Sequence, residues 1–293
     1  MMSRPHFLLT DPQHFGVDYQ INPWMRPDAW HIDPQAGLTA ARASSAALGN
    51  ALISAGAVVD FIPAVAGLPD LVFPANAAVV LDGRVMPARF RHPERQGEEA
   101  IFCTTFQALQ ARGLIREIVD LPQDVIQEGA GDCIWDAERG LFWAGYGQRS
   151  TANSIPAIEA GFGKPVVALQ LASERFYHLD TCFCPLADGK LLFYPAAFTS
   201  ESLAKIHTLV APQDRIEASQ DEADAFCVNA VCIGYHLIMA RAPSSLRVRL
   251  GRLGYRLTEI DLAPFILSGG GAYCMTLRLD RRSEGPATMR AAE

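Results

Sequence analysis

The chain has 293 residues, 49% hydrophobic and 19% charged, which is ample apolar material for a packed core and unlike the composition of a disordered segment. Its net charge is −7 and its basic residues are scattered, so nucleic acid is not expected as a partner, whereas a small cationic ligand is compatible. The start, Met1 to Thr10, lacks the long apolar region of a secretory signal, and no stretch approaches the roughly 18 apolar residues that span a membrane, so no membrane partner is expected.

One order of elements recurs along the chain: helix, glycine stop, strand, then a loop rich in Asp, Glu and Gly. An alanine-rich helix over Leu38 to Ser54 ends at Gly56, and the β-branched run Ala57 to Ile62 leads to Leu68-Pro69-Asp70. A second helix, Glu98 to Arg112, ends at Gly113, and a strand over Ile115 to Leu121 leads to Glu128-Gly129-Ala130-Gly131-Asp132. A third, Ser154 to Ala160, ends near Gly163, followed by Pro165 to Leu171 and His178-Leu179-Asp180. The fourth unit is weaker: Ser202 to Val210, a strand near Arg215 to Ala218, then Cys227-Val228-Asn229. The fifth runs from Ser244 to Leu253, stops at Gly254, continues as Tyr255 to Leu262, and reaches Gly269-Gly270-Gly271-Ala272-Tyr273-Cys274, with Met275 to Leu279 reading as a further strand. Glycine after a last helical turn accepts the left-handed conformation that closes the helix.

The reactive-looking residues fall in one phase, directly after the strand. Five units suit a closed ring, which would bring Asp70, Glu128, His178, Asp180 and Cys274 to one centre. The alternative is an ordinary doubly wound α/β sheet, which alternating strands and helices also predict.

Cys274 after three glycines is placed like a nucleophile, since glycines let backbone N–H groups approach developing charge. A thiol needs help to ionise, and His178 supplies an imidazole that can also protonate an amine leaving group. Alternation on a strand would put His178 and Asp180 on one face. Guanidinium is planar and permanently charged, so carboxylates such as Glu128 and Asp180 suit its N–H donors. Asp132 and Asp70 read equally well as turn residues. Several of the seven cysteines, Cys182, Cys184, Cys227 and Cys232, sit in apolar strand-like contexts and read as small buried thiols, which fits a reducing cytoplasm. His178, Asp180, Cys182 and Cys184 lie close in sequence, but one short strand cannot wrap a tetrahedral ion, so neither a metal nor another cofactor is expected.

These residues also carry a resemblance over almost the whole chain. Asp18-Tyr19-Gln20-Ile21-Asn22-Pro23-Trp24-Met25, Pro69 to Ala77, Arg89 to Glu99, the Glu128 to Asp132 loop, Gly147-Gln148-Arg149-Ser150, His178-Leu179-Asp180-Thr181 and the glycine run before Cys274 together resemble the guanidino-group-modifying enzymes, which include arginine deiminase, dimethylarginine dimethylaminohydrolase, amidinotransferases and arginine dihydrolase. The resemblance implies a single-domain five-bladed α/β propeller over residues 1–293, built of ββαβ blades around a central active site. It implies Cys274 as nucleophile, His178 as general acid and base, Glu128 and Asp180 as guanidinium clamps, Arg149 and Arg95 on the substrate carboxylate, Asp70 near the amino-acid end, and Asn22 among the substrate contacts. Where the deiminase and dimethylarginine hydrolase pattern has a carboxylate, this chain has Asn76, whose amide both donates and accepts hydrogen bonds. That is also the arginine dihydrolase pattern, which the Asn22-Pro23-Trp24 and Arg89 to Glu99 segments resemble too. The expected reaction is hydrolysis of arginine, or a close derivative, to ornithine, ammonia and carbon dioxide. A dimethylarginine hydrolase or deiminase that stops at citrulline, an amidinotransferase, and a catalytically silent arginine-binding module remain alternatives, and a homo-oligomer is compatible with all of them.

Overall fold

The computed structural model describes residues 4–283. In chain order its strands are β1 (His6–Thr10), β2 (Val58–Ile62), β3 (Ala78–Leu81), β4 (Arg84–Pro87), β5 (Glu117–Ile118), β6 (Cys133–Asp136), β7 (Leu141–Tyr146), β8 (Val166–Gln170), β9 (Phe183–Pro185), β10 (Leu191–Phe193), β11 (Arg215–Glu217), β12 (Val231–Ile233), β13 (His236–Ala240), β14 (Arg256–Ile260) and β15 (Leu277–Arg278). They form five three-stranded sheets, each an antiparallel pair joined by a third, parallel strand. In four of them the order is local: β3-β4-β5, β6-β7-β8, β9-β10-β11 and β12-β13-β14, with a helix crossing from the second strand to the third. The remaining sheet takes β15 from the end of the chain against β1, pairing Phe7 with Arg278, and β2 parallel to β1, pairing Phe7 with Val59.

The crossing helices are Pro34–Ser54, Pro93–Ala111, Ser154–Phe162, Ser200–Leu209 and Ser244–Arg252. Two begin earlier than the apolar periodicity predicts because proline starts them, and the Asp33 side chain caps the first by accepting from the Ala36 N–H. Gly56, Gly113, Gly163 and Gly254 all have positive φ, as the stops require. The helix Ser200–Leu209 has no such glycine; instead the Arg215 guanidinium donates to the carbonyls of Val210 and His207 at its end. The middle strands β7, β10 and β13 (LFWAGY, LLF and HLIMA) are buried almost throughout, as expected where both faces of a sheet are covered. Among the described residues no helix is long and apolar enough to cross a membrane.

Three sequence expectations fail locally. His178-Leu179-Asp180 is not a strand: Leu179–Thr181 is a 3-10 turn, because the Leu179 N–H is taken by the Asp132 carboxylate and the Thr181 N–H and hydroxyl both return to the His178 carbonyl. Cys182 and Cys184 therefore do not continue one face with His178 and Asp180. The strand expected over Ile115 to Leu121 shortens to Glu117–Ile118, and that over Met275 to Leu279 to Leu277–Arg278.

Candidate active site

Each parallel third strand hands the chain to a loop, and the five loops meet. Asp70 follows β2, Glu128 follows β5, His178 and Asp180 follow β8, Asn229 follows β11 and Cys274 follows β14. Hydrogen bonds join them: Ser268 to Asp70, His178 to Glu128, Asn229 to the Asp180 carbonyl, and Cys274 to Asp180 and Asn229. The phase seen in the sequence thus becomes proximity in space.

Two hydrogen-bonded pairs lie in the buried centre. In one, Glu128 Oε2 lies 2.7 Å from His178 Nε2 and accepts from Arg149 Nη1 at 3.1 Å, while Oε1 accepts the Arg91 N–H at 3.0 Å. Burial pushes the Glu128 carboxyl up, but the Arg149 charge and the His178 contact outweigh it and hold it below the ordinary carboxylate range. In the other, Cys274 Sγ lies 3.1 Å from Asp180 Oδ2. Burial pushes Asp180 up to about 7, and burial together with the neighbouring Asp180 pushes the Cys274 thiol well above its usual range. The second Asp180 oxygen, Oδ1, is buried and has no hydrogen-bond partner among the described residues.

Asn76 sits between the first pair and a cation. Its Oδ1 accepts from Arg95 Nη1 at 2.8 Å and its Nδ2 lies 3.5 Å from His178 Nδ1. Only glycine fits at position 131, where a Cβ would come within 2.1 Å of Asn76 Nδ2. Arg95 is itself clamped by both oxygens of Glu98 at 2.9 and 2.8 Å and donates to the Asp70 carbonyl. Asp70 accepts from the Tyr19 and Ser268 hydroxyls. The backbone of the Asn22-Pro23-Trp24-Met25 turn is capped by Asn22 Oδ1, which takes the Trp24 and Met25 N–H groups, while Asn22 Nδ2 reaches the Ser268 carbonyl. A mouth of about 600 Å³ opens beside Asn22, Arg91, His92, Gln148, Arg149 and Tyr177.

Every residue singled out from the sequence as a site candidate is therefore in or beside this network. Asp132 is in it as a brace, accepting from the Ser150 N–H and hydroxyl with one oxygen and from the Leu179 N–H with the other. Sequence reasoning missed Tyr177, whose hydroxyl donates to the Gly269 carbonyl and whose ring lies under the Arg149 guanidinium, and it passed over Asn229 although the position shares the loop phase of the others.

Comparison with known proteins follows the same lines. The family model described as N,N dimethylarginine dimethylhydrolase, eukaryotic, matches residues 11–281. The bifunctional arginine dihydrolase/ornithine cyclodeaminase AgrE of Nostoc sp. is 40% identical over 285 residues, 95% of this chain but 38% of that protein, so the chain spans about two-fifths of that relative's length. The dimethylarginine dimethylaminohydrolase of Mycobacterium tuberculosis is 33% identical over 93% of this chain and 85% of its own. Among solved structures, the substrate-bound N-terminal domain of ArgZ, a cyanobacterial arginine dihydrolase, superposes with a TM-score of 0.87 at 38% identity, covering 96% of this chain and all of that one. The chain belongs to the dimethylarginine dimethylhydrolase family.

Proposed function

We propose that this chain hydrolyses arginine at its guanidinium carbon through Cys274 and carries the reaction past citrulline to ornithine. The observation that carries the reading is the Asp180 carboxylate, with one oxygen on the Cys274 thiol and the other buried and unpaired among the described residues. An unpaired buried acceptor is costly, and a guanidinium supplies planar N–H donors that satisfy it while setting the guanidinium carbon over the thiol. Glu128, kept ionised on the His178 side, is the second clamp.

In this reading the arriving cation favours the thiolate that burial and Asp180 otherwise oppose. The thiol proton passes to His178, and sulfur bonds to the guanidinium carbon. His178 returns the proton to one nitrogen as its C–N bond breaks and ammonia leaves, which gives a cationic thiouronium. Water then attacks that carbon while His178 takes a proton; the C–S bond breaks, the thiol is regenerated, and citrulline is released with ammonia carrying off the excess proton. A second cycle on the ureido carbon expels ammonia, and hydrolysis of the resulting thiocarbamate gives a carbamate that loses carbon dioxide. Arginine and two waters become ornithine, two ammonia and one carbon dioxide.

Asn76 favours this outcome over one that stops at citrulline. Its Oδ1 is occupied by Arg95, so Nδ2 faces the centre and can donate to a neutral ureido oxygen, which a carboxylate cannot do. The arginine dihydrolase names of AgrE and of the ArgZ domain support the same choice. Arg149, at the mouth, and Arg95 are proposed to meet the substrate carboxylate, with Asp70 and Asn22 toward the amino-acid end. We also read the five sheets as blades of a closed α/β propeller forming one domain around the site; the ends of the 1–293 range, 1–3 and 284–293, lie outside the described residues.

The family match and the Mycobacterium tuberculosis relative keep dimethylarginine hydrolysis as the second reading. Incubation with arginine, citrulline and methylated arginines, followed by product identification, decides between them. Ornithine from both arginine and citrulline is expected. Citrulline accumulating without ornithine excludes the dihydrolase reading, and turnover that survives Cys274→Ser excludes the covalent mechanism.

A further inference from the structure

Asn229 is fully buried in the loop after β11, and its amide is used at every position the network offers. Oδ1 accepts the N–H groups of Tyr273 at 2.9 Å and Cys274 at 3.2 Å. Nδ2 donates to the Asp180 carbonyl at 3.0 Å and to Cys274 Sγ at 3.1 Å. Two backbone donors on one side and a carbonyl on the other fix the amide's orientation, so the donor and not the acceptor faces sulfur. The close approach depends on position 271, where any Cβ would come within 2.7 Å of Asn229 Oδ1.

We infer that Asn229 is a thiolate-stabilising residue of the reaction, holding the Cys274 loop with its oxygen and the nucleophilic sulfur with its N–H; this rests on Cys274 being the nucleophile. The groups around sulfur explain why such a donor is needed. Asp180 faces it directly and opposes a second negative charge, and Tyr177 stands nearby as a neutral phenol with its ionisation suppressed first by burial and then by Cys274. His178 is bound to Glu128 and makes no hydrogen bond to Cys274 among the described residues. The Asn229 amide, with the Gly271 backbone, favours the thiolate against these groups. A lysine there would stabilise the thiolate but repel an incoming guanidinium; a neutral amide supplies the N–H without the charge.

The test compares wild type, Asn229→Asp and Asn229→Ser in three measurements: the pH dependence of Cys274 alkylation by iodoacetamide, followed on the Cys274 peptide by mass; kcat and KM for arginine; and thermal melting. Asn229→Asp keeps the size and an acceptor for the two N–H groups but turns a carboxylate oxygen on sulfur. Its alkylation midpoint should move up by about one pH unit or more, with alkylation near neutral pH and kcat falling about 10- to 100-fold and KM changing far less. Asn229→Ser should shift the midpoint in the same direction by less. An unchanged alkylation profile in both variants overturns the inference, and so does failure of both to fold, which would assign Asn229 to structure alone. A wild-type Cys274 that resists alkylation, with activity retained in Cys274→Ser, would instead overturn the nucleophile reading itself.

Discussion

Arg95 donates from Nη1 to Asn76 Oδ1 at 2.8 Å, and this bond decides which end of the Asn76 amide faces His178. Replacing Asn76 by Asp keeps an acceptor for Arg95 but turns a second carboxylate oxygen toward the centre. A cationic guanidinium tolerates that charge; a neutral ureido oxygen does not. Asn76→Asp should still release citrulline from arginine, whereas its conversion of citrulline should fall about 10- to 100-fold, the loss of roughly 1–3 kcal/mol for an unmatched buried polar contact. Amino-acid analysis of the products checks this, and full conversion to ornithine by the variant removes Asn76 from its assigned place.

The same arginine has a structural consequence. Glu98 is completely buried and both its oxygens are taken by Arg95, and burial pushes its carboxyl up to about 7 even with that cation beside it. Arg95→Ala leaves Glu98 without its partner and is expected to destabilise the protein by about 3–5 kcal/mol, as breaking a buried ion pair does. Urea denaturation measures it. A loss below about 1 kcal/mol would mean that Glu98 finds another partner or stays protonated at little cost.

The repeat was legible in the sequence because glycine stops and β-branched runs are local signals, and the crossing helices, the third strands and the loop phase follow from them. The antiparallel hairpins β3-β4, β6-β7, β9-β10 and β12-β13 carried no such local signal and came only with the family resemblance, since middle strands such as β7 and β10 are short apolar runs without alternation. The 3-10 turn at Leu179 was hidden for a different reason: it is set by Asp132, far away in sequence, which takes the N–H a strand would have needed. Asn229 escaped notice because an asparagine in a loop has an ordinary turn explanation. Its four hydrogen bonds run to three residues of the loops after β8 and β14, which only the assembled fold brings to it.

Asp180 gives the protein a dependence on pH that can be predicted in sign. Its folded carboxyl is raised to about 7 by burial, so between the ordinary carboxylate range and about 7 the folded state holds a proton that the unfolded chain has lost. The stability tied to that proton is present below the ordinary range and is lost as pH rises through about 7; Glu98 acts in the same direction, and Glu128, held low, acts in the opposite direction on acidification. The melting temperature of the unliganded protein should therefore fall more steeply on approaching neutral pH than that of Asp180→Asn. Arginine binding to the Cys274→Ser variant should strengthen over the same interval as Asp180 ionises. Parallel melting curves for the two proteins would show that Asp180 does not titrate there.

Arg149 stands at two places at once, and the structure changes what its removal should do. It donates to Glu128 Oε2 at 3.1 Å and to the Ile21 carbonyl at 3.1 Å, with its guanidinium 4.7 Å above the Tyr177 ring, and it lines the mouth where a substrate carboxylate would lie. If it served the carboxylate alone, Arg149→Ala would raise KM and spare kcat. Because it also keeps Glu128 ionised, both should suffer. Agmatine, which has no carboxylate, separates the two contributions. In wild type it should be a poor substrate. In Arg149→Ala, kcat/KM for arginine should drop further than that for agmatine by about 10- to 100-fold, the share of a charge-assisted contact worth about 1.5–3 kcal/mol. If the two substrates lose equally, Arg149 acts only through Glu128 and the carboxylate is held by another group at the mouth.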